Sequence, residues 1–418
     1  MIKKLKLKSE FNRNVLTLMT GTIIAQAIPI AISPLLTRIY SPEDFGVFAL
    51  YMSIISILSV IATGRYELAI ILPEKDEDAI NLIALSMILV SFFCFFIFIL
   101  VLFFNDQIVS ILKAPNISSW LYFAPISIFF VGLYQNLNSW INRKKQYKKQ
   151  ALSKVVQNAT IGSGSLGLGF SGIISSGLIM SLIAGQGVVA SFLGLLTWRR
   201  DKSLFKKINR HQVIHMGRKY IDFPKYDIAA SLSSVSSQQI IYILFNSLFS
   251  STVVGYYYLT QRMLSAPISF LASAILDVFK QKAAKDYKKH GNAKVIYRST
   301  FKKLLVLSII PTAIIYFFAI DIFVFMFGEN WKEAGVYAQI LAPMLLFRFL
   351  ANPLSFMLYI GNKQRINLYT QLLLFLAILS SFYFVGTARN IVAVMSLLFS
   401  LFYISHLIIS AKIAGIFN

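Results

Sequence analysis

The chain has 418 residues, 57% of them hydrophobic and 14% charged, with a formal net charge of +23 and one cysteine. That leaves too little polar surface to coat a water-soluble globule of this size, and a single cysteine excludes an intrachain disulfide. The charge invites a nucleic-acid reading, but the basic residues sit in short segments between apolar stretches, and none is organised as a reading motif.

A hydrocarbon core about 30 Å thick takes roughly 20 helical residues, and backbone groups inside lipid must pair within their own segment. Twelve spanning helices are predicted on that measure, at 14–36, 45–72, 80–104, 120–141, 151–170, 173–198, 227–248, 255–279, 303–323, 337–360, 367–385 and 391–411. The fold class is all-α integral membrane. The basic start and the following apolar run resemble a secretion signal, with Ala25-Gln26-Ala27 as a small-x-small site, but the run continues through 28–36 and an uncleaved first span is expected. Cys94 falls in the Phe-rich third span, away from redox chemistry. The glycines at 162, 164, 167, 169 and 172 have no Gly-Lys-Ser/Thr after them, so close helix packing explains them better than a phosphate loop.

With the N-terminus placed in the cytoplasm, 33 of the 40 Lys and Arg fall in 1–13, 73–79, 142–154, 199–226, 280–303 and 361–366 and at Lys412. Arg38, Lys113, Lys332 and Arg389 fall on the other side, and Arg65, Arg262 and Arg348 inside spans. This positive-inside asymmetry predicts a multi-pass bacterial inner-membrane protein with both termini cytoplasmic.

The longest hydrophilic stretch, 199–226, divides the chain into an N-terminal six-helix bundle (1–198), a basic cytoplasmic linker and a C-terminal six-helix bundle (227–418). Weak repetition supports the division. Gln26 precedes Gly46-Val47-Phe48-Ala49-Leu50 by 20 residues, and Gln238 precedes Gly255-Tyr256-Tyr257-Tyr258-Leu259 by 17. Ala124-Pro125 and Ala342-Pro343 recur at equivalent places. Two pseudo-symmetric halves that start in the same orientation, around a central cavity, form a transporter architecture.

A charged residue at the centre of a span costs about 2.5–3.5 kcal/mol on insertion scales, so Arg65, Glu67, Arg262, Asp277 and Arg348 ask for a reason. Arg262 and Arg348 fall near the midplane, the other three nearer the cytoplasmic side. Arg65 and Glu67, two apart on a helix and about 200° around it, are not expected to pair. Glu67 lies 21 residues beyond Gly46 and Asp277 lies 22 beyond Gly255, which makes this matched pair of acids candidates for proton or Na⁺ coupling; ion pairing or snorkelling is the plainer account. Three arginines against two acids leave a positive inventory, and guanidinium forks match phosphate oxygens. Gln26, Gln238, Gln239 and Asn352 offer neutral donors for sugar hydroxyls, or interhelical hydrogen bonds.

Catalysis finds little room. The longest extracytoplasmic loops, 105–119 and 324–336, hold Asp106, Glu329 and Glu333 but are short for a glycosyl-transfer site. His211 and His215 have the i, i+4 spacing of a metal pair, yet Gln212 stands where a metalloprotease needs Glu and the surroundings are basic. An amphipathic elbow is the better reading, with no catalytic residues, metal or cofactor expected.

Four stretches carry a family resemblance. Ser33-Pro34-Leu35-Leu36-Thr37-Arg38-Ile39-Tyr40-Ser41-Pro42-Glu43-Asp44-Phe45-Gly46 and Gly64-Arg65-Tyr66-Glu67-Leu68-Ala69-Ile70 resemble the polysaccharide-exporter branch of the multidrug/oligosaccharidyl-lipid/polysaccharide (MOP) exporter superfamily. Phe223-Pro224-Lys225-Tyr226 and Gln261-Arg262-Met263-Leu264-Ser265-Ala266-Pro267 resemble its second half. The resemblance implies a flippase of the Wzx O-antigen type, which moves an undecaprenyl-diphosphate-linked oligosaccharide to the outer leaflet by alternating access. Arg65, Arg262 and Arg348 would then contact the diphosphate or acidic sugar, Glu67 and Asp277 would couple ions, and the partners would be lipid-linked substrate, membrane lipid and polysaccharide polymerase machinery. Twelve spans speak against the peptidoglycan-precursor flippases, which generally have two more. The alternative is a cation-coupled multidrug antiporter of the same superfamily, for which an acid-dominated cavity is expected.

Overall fold

The computed structural model describes the backbone of residues 2–384 and 386–417, and side-chain surroundings for all of these except 2–16, 175, 266–274, 277, 364 and 384. In chain order the helices are α1 (Ile2–Ile39), α2 (Pro42–Ala62), α3 (Tyr66–Ala69), α4 (Asp76–Leu112), α5 (Ser118–Leu121), α6 (Ala124–Arg143), α7 (Tyr147–Phe170), α8 (Ile174–Phe205), α9 (Arg210–Lys219), α10 (Ile228–Leu248), α11 (Ser251–His290), α12 (Lys294–Phe327), α13 (Lys332–Leu354), α14 (Met357–Ile360), α15 (Gln364–Phe384) and α16 (Ala388–Ile413). Each predicted span has one long helix as its main part, with 45–72 and 337–360 each continuing into a separate short helix, α3 and α14. Among the described residues nine helices are long and apolar enough to cross a bilayer, and Pro115–Leu121 with Ala124–Arg143 forms a further, bent candidate. The chain is a multi-pass membrane protein.

The outward side chains fit a lipid solvent. Along α4, Phe92 is 71% and Phe103 69% exposed, with Phe95, Phe96 and Leu102 on the same open surface. Such a stripe would drive aggregation in water and is neutral against hydrocarbon.

The chain groups into two compact units, Met1–Gly255 and Tyr256–Asn418, with the boundary inside α11. In the first unit α2 opens on a capping box: Asp44 N donates to the Ser41 hydroxyl at 3.2 Å and Ser41 N donates to Asp44 Oδ2 at 2.9 Å, with Pro42 in the first turn. Its fifth residue, Gly46, lies against the start of α11. A Cβ at Gly46 would stand 1.7 Å from the Ser251 carbonyl oxygen, and one at Gly255 would stand 1.8 Å from the Pro42 carbonyl oxygen. The two glycines that open the repeats therefore meet here, at a backbone approach that no side chain allows.

The second span breaks earlier than predicted. α2 ends at Ala62, and Gly64 and Arg65 both take left-handed backbone (φ 60° and 59°) before the single turn of α3. The expected helix 45–72 is thus corrected, and Arg65 and Glu67 lie at a helix break, not inside a span. The expected outer loop 105–119 is also mostly helical, since α4 continues to Leu112 through a kink at Phe104.

A core of Tyr66, Ala69, Ile70, Ile80, Ile83, Trp140 and Met216 binds α3, α4, α6 and α9 together. The amphipathic elbow is α9, which buries Val213 and Met216 and leaves its basic residues outside. In the second unit α12 and α13 cross closely at Gly335, where a Cβ would lie 2.8 Å from the Ile320 Cα. Phe279, Tyr297, Leu304, Phe349, Leu354 and Met357 form this unit's core at its basic end.

Candidate functional site

Two arginine networks stand out, one in each unit. The first exists because of the break after α2. On a continuous helix Arg65 and Glu67 would point apart, but the left-handed turn re-aims Arg65, and its Nη1 lies 3.1 Å from Glu67 Oε1. The expectation that they do not pair is therefore wrong, because the geometry of a regular helix does not apply across the break. Arg65 Nε also donates to Asp227 Oδ2 at 2.6 Å, and the Ser231 hydroxyl donates to the same oxygen at 3.2 Å. The side chain of Glu67 is 4% exposed, that of Arg65 19% and that of Asp227 37%. One buried carboxylate oxygen, Glu67 Oε2, has no hydrogen-bond partner among the described residues.

The surroundings hold this cluster firmly. Tyr66 donates its hydroxyl proton to the Gly217 carbonyl at 2.9 Å, tying α3 to α9. Arg143 on α6 donates to the carbonyl oxygens of Ile70, Ile71 and Glu74 and, through Nε, to Asp76 Oδ1 at 2.9 Å. Lys144 pairs with the same carboxylate. Burial by itself would raise the pKa of Asp76, but bonds and charge from Lys144 and Arg143 hold it below the ordinary carboxylate value.

The second network contains no carboxylate among the described residues. Tyr257, Gln261 and Ser265 stand four apart along one face of α11. Gln261 Nε2 donates to the Tyr257 hydroxyl at 3.0 Å, and the Ser265 hydroxyl faces Gln261 Oε1 at 3.5 Å. Arg348 of α13 donates from Nη1 to the Ser265 hydroxyl at 3.2 Å. Its charge reaches the Tyr257 and Tyr403 hydroxyls electrostatically. Arg348 is half-buried, near the middle of the Glu329–Ile360 apolar stretch, and has no acidic partner among the described residues.

The other expected site residues scatter. Arg262 is half-buried on α11 and already has a partner. Gln26 and Asn352 are exposed on α1 and α13, and exposed Gln238 bonds back to the Ser234 carbonyl at 3.3 Å. Gln239 accepts from the Ser53 hydroxyl at 3.0 Å and joins α10 to α2. Asp277 lies on α11, with its side chain outside the described residues. Glu333 forms a two-bond pair with Arg389 and raises the pKa of that guanidinium, so it is no partner for a second acid. No group of three or more His, Cys, Asp or Glu among the described residues could hold a metal.

Sequence reasoning missed Asp227, Tyr257, Gln261, Ser265 and Tyr403. Asp227 had a legible signal, an acid at the first residue of a predicted span. The spacing 257, 261, 265 was also visible, but nothing in the sequence placed Arg348 opposite it.

A model of the polysaccharide biosynthesis protein family matches residues 35–336. No curated protein sequence is matched. Among solved structures, the lipid II flippase MurJ in an inward closed conformation matches with a TM-score of 0.72 at 14% identity, over 95% of this chain and 87% of that one. An inward-facing multidrug resistance MATE family transporter of the MOP superfamily matches with 0.70 at 14% identity, over 94% and 95%. A MOP superfamily transporter from Pyrococcus furiosus matches with 0.57 at 13% identity, over 97% and 96%. These likenesses establish the fold, and these neighbours are transporters and flippases, not enzymes.

Proposed function

This chain belongs to the polysaccharide biosynthesis protein family, and we propose that it flips a polyprenyl-diphosphate-linked oligosaccharide across the bacterial inner membrane by alternating access. The observation that carries the reading is Arg348. A guanidinium near the middle of an apolar stretch with one neutral hydroxyl as its hydrogen-bond partner among the described residues has further N–H donors to offer an incoming anion, and a diphosphate fits that fork. Arg262, on the neighbouring α11, is the second phosphate ligand of the proposal. Exposed Asn352 supplies a neutral contact for sugar hydroxyls in the second unit, and exposed Gln26 and Gln238 are the corresponding candidates in the first. In the proposed topology the basic segments 199–226 and 280–303 and both termini face the cytoplasm, 199–226 links two six-helix bundles, and the emerging glycan passes to polymerase machinery.

Undecaprenyl is the lipid carrier we assign, with an O-antigen or capsule repeat unit as cargo. The competing multidrug reading calls for an acid in the binding network, and the Arg348 network has none among its described members. The deciding experiment reconstitutes the purified chain in vesicles carrying a fluorescent undecaprenyl-diphosphate oligosaccharide and measures its accessibility to an impermeant quencher. Flipping that disappears in Arg348→Ala at normal protein level is the expected result. Transport of a cationic dye, with the glycolipid left in place, would overturn it.

Glu67 is the proposed coupling acid of the first unit and Asp277 its counterpart. The support is the unpartnered, buried Oε2 of Glu67, an open place for a proton next to a guanidinium that has a second carboxylate to turn to. An imposed pH or Na⁺ gradient should speed flipping by the wild type and leave Glu67→Gln unaffected. A wild type indifferent to both gradients removes the coupling role.

A further inference from the structure

Between α12 and α16 at the basic end of the second unit runs a trough of about 430 Å³, within the usual range for small-molecule sites. Phe301 forms one wall, Leu407, Ile408 and Ala411 the other, and Phe417 lies at its end. Ile408 is 55% and Phe417 67% exposed, so the trough opens to its surroundings. The Tyr297 hydroxyl at its edge is already paired, donating to the Leu407 carbonyl at 3.0 Å and lying 2.8 Å from the Ser410 hydroxyl, so it seeks no ligand. What remains is apolar except for two cations. Arg298 and Lys302 also line the trough, one helical turn apart on the same face of α12, and neither has a polar partner among the described residues. No carboxylate lines it among the described residues.

The position supplies the chemistry of the occupant. Lys302 and Lys303 are the last charges before an uncharged, mostly apolar run from Leu304 to Ile320, so Arg298 and Lys302 stand where the headgroup region meets hydrocarbon. A free phosphate would satisfy the cations and leave the apolar walls wet. A neutral lipid would cover the walls and leave the cations without a counter-charge. A molecule with a phosphodiester and acyl chains satisfies both. We propose that this trough is a binding site for an anionic glycerophospholipid, with the phosphate on Arg298 and Lys302 and the first acyl methylenes along Phe301, Leu407 and Ile408. This site is separate from the Arg348 network and does not depend on the transported substrate.

The test uses the purified full chain in phosphatidylcholine nanodiscs doped with a photoactivatable phosphatidylglycerol, with crosslinked peptides mapped by mass spectrometry. Label should concentrate in 297–302 and 407–417. The double variant Arg298→Gln/Lys302→Gln should lose label by roughly tenfold or more, since each basic residue near a lipid surface contributes about 1 kcal/mol. Ile408→Trp, which fills the trough and keeps both charges, should lose it as well. Lys288→Gln/Lys289→Gln removes two equally basic residues from the end of α11 and should leave the label unchanged. Three results would overturn the proposal: equal labelling by a photoactivatable phosphatidylcholine, equal loss in the Lys288/Lys289 control, or displacement of the label by a polyprenyl diphosphate better than by phosphatidylglycerol.

Discussion

Arg65 and Arg348 are the same residue in opposite electrostatic situations. Arg65 sits at a helix break and shares its guanidinium between Glu67 and Asp227, while Arg348 sits inside a long helix with the Ser265 hydroxyl as its one hydrogen-bond partner among the described residues. A cation bracketed by two carboxylates is largely spent on holding α3 and the start of α10 in place. One with a single neutral partner carries an uncompensated charge at a depth where that is expensive. On the proposed function, the difference separates an arginine that ties helices together from one that meets an anion. Residue type and approximate depth do not make that distinction; partners do.

The sharpest way to break the comparison is to remove each guanidinium in turn. Arg348→Ala should cut glycolipid flipping on the order of 100-fold, the equivalent of two charge-assisted hydrogen bonds at about 1.5 kcal/mol each, with membrane abundance and melting temperature close to wild type. Arg348→Lys should recover only part of this, since an ammonium lacks the planar fork. A large drop in abundance instead would make Arg348 structural and erase the contrast.

Arg65→Gln should do the reverse. It strands Glu67, whose side chain is 4% exposed, and should cost about 3–5 kcal/mol of stability, seen as lower abundance and melting temperature in detergent. The double variant Arg65→Gln/Glu67→Gln should regain most of the loss, because two neutral amides replace a broken ion pair. No recovery in the double variant would mean that Asp227, not Glu67, is the partner that matters.

Ser265→Ala sharpens the second network. It removes the hydroxyl bonded to Arg348, so flipping should change by a few-fold, in line with about 1 kcal/mol for a single hydrogen bond, and stability hardly at all. The smallest effect belongs to Asp76→Asn beside the first network. The folded protein holds this carboxyl below its ordinary pKa of 3.8, so its stabilising contribution is complete above that value and is lost as the pH falls through the lower folded value. The wild type should therefore melt higher than Asp76→Asn at neutral pH, and the two should converge in strong acid. A gap that persists in acid would show that Asp76 acts through shape, not charge.

Most of the architecture was legible. Every one of the twelve predicted spans has its long helix, because lipid forces backbone groups to pair inside a segment and so turns hydrophobic length into structure almost without tertiary help. Gly46 and Gly255 were also picked out by their place in the repeat, although their mutual approach was not. The errors fall where a helix stops for reasons other than composition. The stretch 63–72 is apolar enough to continue α2, and only the left-handed turn at Gly64 and Arg65 ends it.

The sequence by itself determined the all-helical membrane fold and the basic asymmetry, since each follows from local composition counted along the chain. Only the tertiary structure decided which charges neutralise one another. Asp227 is 162 residues from Arg65 and Ser265 is 83 from Arg348, and pairing over such separations depends on helix crossings and on one backbone turn. No periodicity encodes that turn. For this reason Arg65 and Arg348, alike as letters, part company only in three dimensions.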